Sequence, residues 1–101
     1  MEIHVNREGR RLEIYLKGEL DHHGAKGLMA RLDREMEIAL PLQTVLDFGA
    51  VTFMDSSGIA VVMRARQRAR ELGGTLKLRK AAPQPRKVFD AAGISRLVEM
   101  E

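Results

Sequence analysis

The short run Thr44-Val45-Leu46-Asp47-Phe48 constrains this chain more than any other stretch. It is almost wholly apolar and lies between two segments of helical periodicity. A strand covered by other elements reads as a near-continuous apolar run, whereas a strand wet on one face alternates. Upstream, Ala25, Leu28, Met29, Leu32, Met36, Ala39 and Leu40 fall on one helical stripe, which Pro41 stops. Downstream, Ile59, Val62, Ala65, Ala69 and Leu72 form a second stripe, running to about Leu72 and closed by a left-handed cap at Gly73-Gly74. A central strand flanked by two amphipathic helices points to a layered α/β fold.

The rest of the chain fits that frame. Ile3 and Val5 alternate with polar neighbours, Arg7-Glu8-Gly9-Arg10 reads as a turn, and Leu12, Ile14 and Leu16 alternate with Glu13, Tyr15 and Lys17. This is an antiparallel hairpin with one buried face. Gly18 to Gly24 reads as a connection. Thr75 to Arg79 alternates again with Leu76 and Leu78 inward, and Pro83 and Pro85 set the first turn of a third helix. That helix is expected to bury Val88, Phe89 and Ala92 and to stop at Gly93, with Leu97, Val98 and Met100 in a last short strand. The order ββαβαβαβ predicts a mixed, mostly parallel sheet of about four to five strands, packed with about three to four helices. With no linker, repeat or low-complexity tract, residues 1–101 read as a single domain.

Composition removes several function classes. There is no cysteine, so disulfides, thiolate metal sites and cysteine nucleophiles are excluded. Aromatic residues are only 4% of the chain, so the core must be aliphatic. No apolar run approaches a membrane span, and the N-terminal alternation is not that of a signal peptide. A cytoplasmic protein without membrane contact is the expectation. The net charge of +3 is a mild bias, much of it in Arg64, Arg66, Arg68 and Arg70. Those arginines make two short basic ridges with no stacking aromatics, which reads mainly as a solvated face rather than a DNA-binding surface.

In open sheets of this kind, function gathers at loops after the carboxyl ends of strands. Two such loops stand out, Gly18-Glu19-Leu20-Asp21-His22-His23 and Phe53-Met54-Asp55-Ser56-Ser57-Gly58. The second opens a helix, where orphan N–H groups and the helix dipole favour negative charge. Asp55 or Ser56 could serve there as a plain N-cap. Against a cap alone stand the doubled serine, the bare first turn expected at Gly58, and the apolar Phe53-Met54 that could flank a docking surface. A phosphate on Ser56 would add charge beside Asp55 and reject a docked partner without unfolding the domain. The enzymatic reading, a serine nucleophile, lacks the glycine-x-serine-x-glycine elbow and an evident pocket. Asp21, His22 and His23 have no further obvious ligands for a metal, and Asp21 could cap the first helix. No catalytic residue, metal or cofactor is assigned.

Together the two loops, followed by a helix ending at Gly73-Gly74 and the Val88-Phe89-Asp90 and Gly93 region, resemble the STAS domain of bacterial anti-sigma factor antagonists. The resemblance covers essentially the whole chain. The Glu19-Leu20-Asp21-His22-His23 loop is similar to the sporulation branch, whose partner is of the anti-sigma F type. This implies a partner-switching cycle. The unphosphorylated antagonist binds an anti-sigma factor that is also a serine kinase, and so frees the sigma factor. The kinase phosphorylates the serine just after the aspartate, which is Ser56 and not Ser57, and a PPM-type serine phosphatase resets it. By this resemblance the partner surface comprises Glu19, Asp21, His23, Met54, Asp55, Ser56, Ser57 and Gly58, and the protein is a ligand and substrate rather than an enzyme. One departure is Gly58-Ile59-Ala60, where the family commonly has a second glycine. The alternatives are a STAS domain of a general stress or stressosome pathway, or a small nucleotide-binding or catalytic domain using the same loop.

Overall fold

The chain order in the computed structural model, which describes residues 1–101, is β1 (Glu2–Glu8), β2 (Arg11–Leu20), α1 (His22–Ala39), β3 (Gln43–Met54), α2 (Ser57–Glu71), β4 (Thr75–Arg79), α3 (Pro83–Ala92), a single 3-10 turn (Ile94–Arg96) and β5 (Glu99–Met100). The five strands lie side by side in sequence order. β1 and β2 are antiparallel, and every later pair is parallel. The expected ββαβαβαβ order is therefore observed. A sheet that always adds its next strand on the same side, through crossovers of one hand, stacks its helices on one face.

That face holds the core. Leu12, Ile14 and Leu16 of β2, Leu46 and Phe48 of β3, and Leu76 and Leu78 of β4 meet Leu28, Leu32 and Met36 of α1 and Val61, Val62 and Ala65 of α2 in one cluster of 21 buried residues. α3 joins it through Phe89, whose ring meets Phe48 edge-on at 5.1 Å. The other face carries no helix. Strand register puts Glu13, Tyr15, Val45, Asp47, Lys77 and Arg79 there. Val45 is fully buried yet lies outside the helix-side cluster, so long polar side chains cover it instead. Arg79 ties them together, reaching Asp47 at 3.1 Å, Glu13 at 2.9 Å and the Tyr15 hydroxyl at 3.1 Å.

Several local expectations change. β2 runs on through Leu20 and α1 begins at His22, so only Asp21 connects them, not Gly18 to Gly24. The alternation is masked because the register slips at Tyr15/Lys17 and at Gly18/Glu19, with Gly18 at φ +107. Leu40 is not on the buried stripe. It is the left-handed C-cap of α1 at φ 45, half exposed, and its carbonyl accepts from Arg10 Nε and a second guanidinium nitrogen at 3.1 and 2.9 Å. Ala92 and Leu97 are exposed, while Pro85, Ile94 and Val98 are buried in that region. The left-handed cap expected after α2 is present at Gly73, φ +77.

The arginine run of α2 is more than a solvated face. Arg64 reaches Asp33 of α1 at 2.6 Å, Arg68 lies 3.6 Å from Glu71 and 4.0 Å from Glu37, and Arg66 donates to the Leu97 carbonyl at 2.9 Å. Much of the positive charge is thus engaged within the fold, across α1, α2 and the segment before β5. No helix is long and apolar enough to cross a membrane.

Candidate functional site

The two singled-out loops meet because β2 and β3 are parallel neighbours whose carboxyl ends lie together. Glu19 is in register with Phe53 and Leu20 with Met54, and the Asp55 N–H donates to the Leu20 carbonyl at 3.2 Å. β3 is longer than the apolar run suggested, because Gly49, Ala50 and Thr52 carry strand backbone without an apolar signature. Phe53 and Met54 are therefore the end of a strand rather than part of the turn, and their side chains diverge. Phe53 is 43% exposed, whereas Met54 is fully buried. Met54 thus supports the turn from beneath and is not on the partner surface expected of it.

The turn assigns separate roles to its aspartate and its serines. The Ser57 N–H donates to Asp55 Oδ1 at 2.8 Å, and the Asp55 and Ser56 carbonyls accept from Gly58 and Ile59 at 3.0 and 3.1 Å. Asp55 therefore supplies the side-chain cap. Ser56 is exposed and its hydroxyl makes no capping bond, whereas Ser57, the first helical residue, is half-buried. The cap explanation thus applies to Asp55 and leaves the Ser56 hydroxyl without a structural task. No base is hydrogen-bonded to it, as a nucleophilic serine needs.

Gly58 has a different purpose from the one expected. A Cβ there would lie 2.3 Å from Met54 Sδ and 2.4 Å from its Cγ. The glycine faces inward and lets α2 start directly on the buried Met54, so it does not leave a bare surface for a partner.

In the neighbouring loop, Asp21 is the N-cap of α1, accepting from the Gly24 N–H at 2.9 Å. That bond, helped by His23, holds its carboxyl below the usual carboxylate range. Glu19, His22 and His23 are exposed, and the two imidazole rings sit edge-on at 5.9 Å. No group of three or more His, Asp or Glu side chains is gathered to hold a metal ion.

One residue went unnoticed in the sequence. Gln84 of α3 accepts from the Met54 N–H at 2.7 Å and donates to the Met54 carbonyl at 2.8 Å. β4 ends at Arg79, in register with Asp47, so the end of β3 has no strand on that side. The Gln84 amide takes the place of the missing strand and satisfies both backbone groups. A side-chain amide bonding to a strand residue 30 positions away has no local pattern by which it could be read.

The family profile described as "Mlab, STAS domain" matches residues 3–99. The anti-sigma F factor antagonist of Paenibacillus polymyxa is 26% identical over 100 residues, 97% of this chain and 86% of its own. That of Lysinibacillus sphaericus is 30% identical over 81 residues, 80% of this chain and 69% of its own. The anti-sigma-B factor antagonist of Bacillus subtilis (strain 168) is 24% identical over 98 residues, 97% and 88% of the two chains. Among solved structures, the anti-sigma factor antagonist SpoIIAA in its unphosphorylated form has a TM-score of 0.85 at 25% identity, covering 99% of this chain and 88% of that one. The phosphorylated form of the Bacillus cell fate determinant SpoIIAA has a TM-score of 0.75 at 25% identity, over 99% and 91%. The sheet order, the paired loops and the match across nearly every residue lead to one assignment: this chain belongs to the STAS-domain family, and the anti-sigma factor antagonists among its relatives are regulatory rather than catalytic proteins.

Proposed function

We propose that residues 1–101 act as one STAS domain and as a cytoplasmic anti-sigma factor antagonist. Unphosphorylated, it binds an anti-sigma factor of the sigma F type that is also a serine kinase, and so releases the sigma factor. Phosphorylation of Ser56 ends that binding, and a PPM-type serine phosphatase restores it. The protein contacts neither DNA nor a membrane in this cycle. The observation that carries the reading is the Ser56 hydroxyl, exposed and free of any capping bond at the start of α2, while Asp55 does the capping. The positive end of the helix dipole suits an added phosphate there, so the fold tolerates the charge while a docked partner does not. Relatives named as anti-sigma F factor antagonists support the partner class.

The test is a pull-down with purified anti-sigma kinase, with and without ATP, combined with intact-mass analysis. Wild-type protein gains one phosphate, mapped to Ser56, and leaves the complex. Ser56→Ala binds and is not released by ATP, and Ser56→Asp fails to bind. Phosphate on Ser57, or release of Ser56→Ala by ATP, overturns the assignment. A catalytic serine predicts instead that both substitutions abolish an esterase turnover alike.

Glu19, Asp21 and His23 lie beside the serine turn and are proposed as partner contacts with Asp55, Ser56 and Ser57. Because Asp21 also caps α1, reversing it to Lys removes two things at once. The informative variant is Asp21→Asn, since asparagine caps as well as aspartate. Asp21→Asn keeps Tm within roughly 3 °C of wild type and weakens binding, whereas Asp21→Lys lowers Tm by roughly 5 °C as well. Unchanged affinity in Asp21→Asn removes the carboxylate charge from the interface. The anti-sigma-B relative favours one second reading, a general stress pathway. Pull-downs against both kinase types separate the two.

A further inference from the structure

We propose that Lys87 holds the phosphate carried by Ser56, making the modified state an internal ion pair across the mouth of a groove between α2 and α3. The inference rests on the Ser56 reading above and adds the group that answers the phosphate. Ser56 and Lys87 line one groove of about 430 Å³, whose other walls are Ile59, Val88, Ala91 and Ala92. Lys87 is exposed and has no carboxylate within ion-pair distance, whereas its neighbour Arg86 is engaged with Asp90 at 3.4 Å. Ser56 and an unpaired lysine therefore flank one largely apolar groove.

Its placement is built in. Gln84 clamps α3 to both backbone groups of Met54, two residues before Ser56. Lys87 follows Gln84 by three positions, so it lies on the same side of α3, one turn further along. Its alkyl stem can lie along Val88 and the alanines while the ammonium reaches the rim. Before modification nothing pairs with it. After modification the phosphate needs a counter-charge, because Asp55 adjoins it and already carries the Ser57 N–H on Oδ1. A phosphoserine dianion and an ammonium over an apolar wall attract more strongly than the same charges in open water. The pair bridges the groove mouth, so phosphorylation covers the apolar groove as well as adding charge.

The test does not depend on any kinase. Phosphoserine is installed at position 56 by semisynthesis, and its second ionisation is followed by phosphorus NMR in the folded protein. The midpoint lies below the ordinary value near 6 for phosphoserine. Lys87→Gln raises it by about 0.2–0.7 pH, the range expected of a partly exposed ion pair. Lys87→Arg restores it, and Lys17→Gln, on the hairpin strand β2, serves as the net-charge control and leaves it unchanged. A midpoint that is the same in wild type and Lys87→Gln overturns the proposal, as does an equal rise in Lys17→Gln. If the kinase fails to modify Ser56 while this titration still responds to Lys87, the functional reading fails and the ion pair stands. If the kinase modifies Ser56 and the titration ignores Lys87, the reverse holds.

Discussion

Gly58→Ala destabilises the domain by about 1–3 kcal/mol and lowers its Tm by roughly 5–20 °C. Helix propensity alone predicts the opposite sign, since alanine is better than glycine inside a helix by about 1 kcal/mol. Packing decides it. The added methyl would sit 2.3 Å from Met54 Sδ and 3.1 Å from its Cε, far inside contact distance. Met54 is fully buried and cannot swing into solvent to make room. Thermal melts of a double-mutant cycle check the cause. Met54→Ala alone costs about 2–5 kcal/mol through the cavity it leaves. Adding Gly58→Ala to that background costs nothing further or recovers stability, because the clash has gone and the space is empty. A Tm that rises in Gly58→Ala alone would show that the contact is slack.

Arg79→Met costs more, about 3–5 kcal/mol at neutral pH, because it leaves two largely buried carboxylates without their shared cation. Side-chain exposure is 14% for Arg79, 13% for Glu13 and 8% for Asp47. Burial opposes the guanidinium charge, but the bonds to Glu13, Asp47 and Tyr15 outweigh it and hold Arg79 well above the usual arginine range. Asn6 and Arg79 together hold the Glu13 carboxyl below its ordinary value of 4.5. Such a depressed carboxylate adds stability above the unfolded pKa and loses it as pH falls through the folded one. The wild type therefore weakens in acid below about pH 4.5. In Arg79→Met, Glu13 keeps only Arg11, at 3.4 Å, as a cation, so protonation relieves more of its repulsion from Asp47 and the deficit shrinks as pH falls. Urea unfolding at pH 7 and pH 4 reads this directly. An equal deficit at both values would show that Arg79 acts only through packing of its stem.

The sequence was most legible where one periodicity ran undisturbed. The hairpin, the Leu28-Leu32-Met36 stripe and the Thr75–Arg79 alternation each repeat one physical requirement several times, so one exception does not hide it. The strand ends were poorly legible. At Gly18 a left-handed backbone and a register slip break the alternation just where the site begins, and at Gly49 to Phe53 the strand persists mainly through backbone pairing to β2. The serine turn itself was readable as a helix start, but its division of labour was not. Asp55 and Ser56 are both good capping residues, and only the orientation of the chain leaving β3 decides that Asp55 takes the Ser57 N–H. Met54 and Gly58 looked like surface because each is read with its neighbours in sequence, whereas their packing is with each other. Gln84 and Lys87 gave no signal at all, because what matters about them is where α3 comes to rest.

The Gln84 bridge also sets a timetable for the ribosome. The Met54 backbone groups are satisfied by a residue made 30 positions later. While α3 is still in the exit tunnel, the strand end beneath Ser56 lacks its last partner and the turn lacks a fixed floor. A half-made chain therefore presents the serine motif in sequence but not in shape. The turn takes its working shape only once α3 has docked, so a chain without α3 carries the serine motif without its fixed floor.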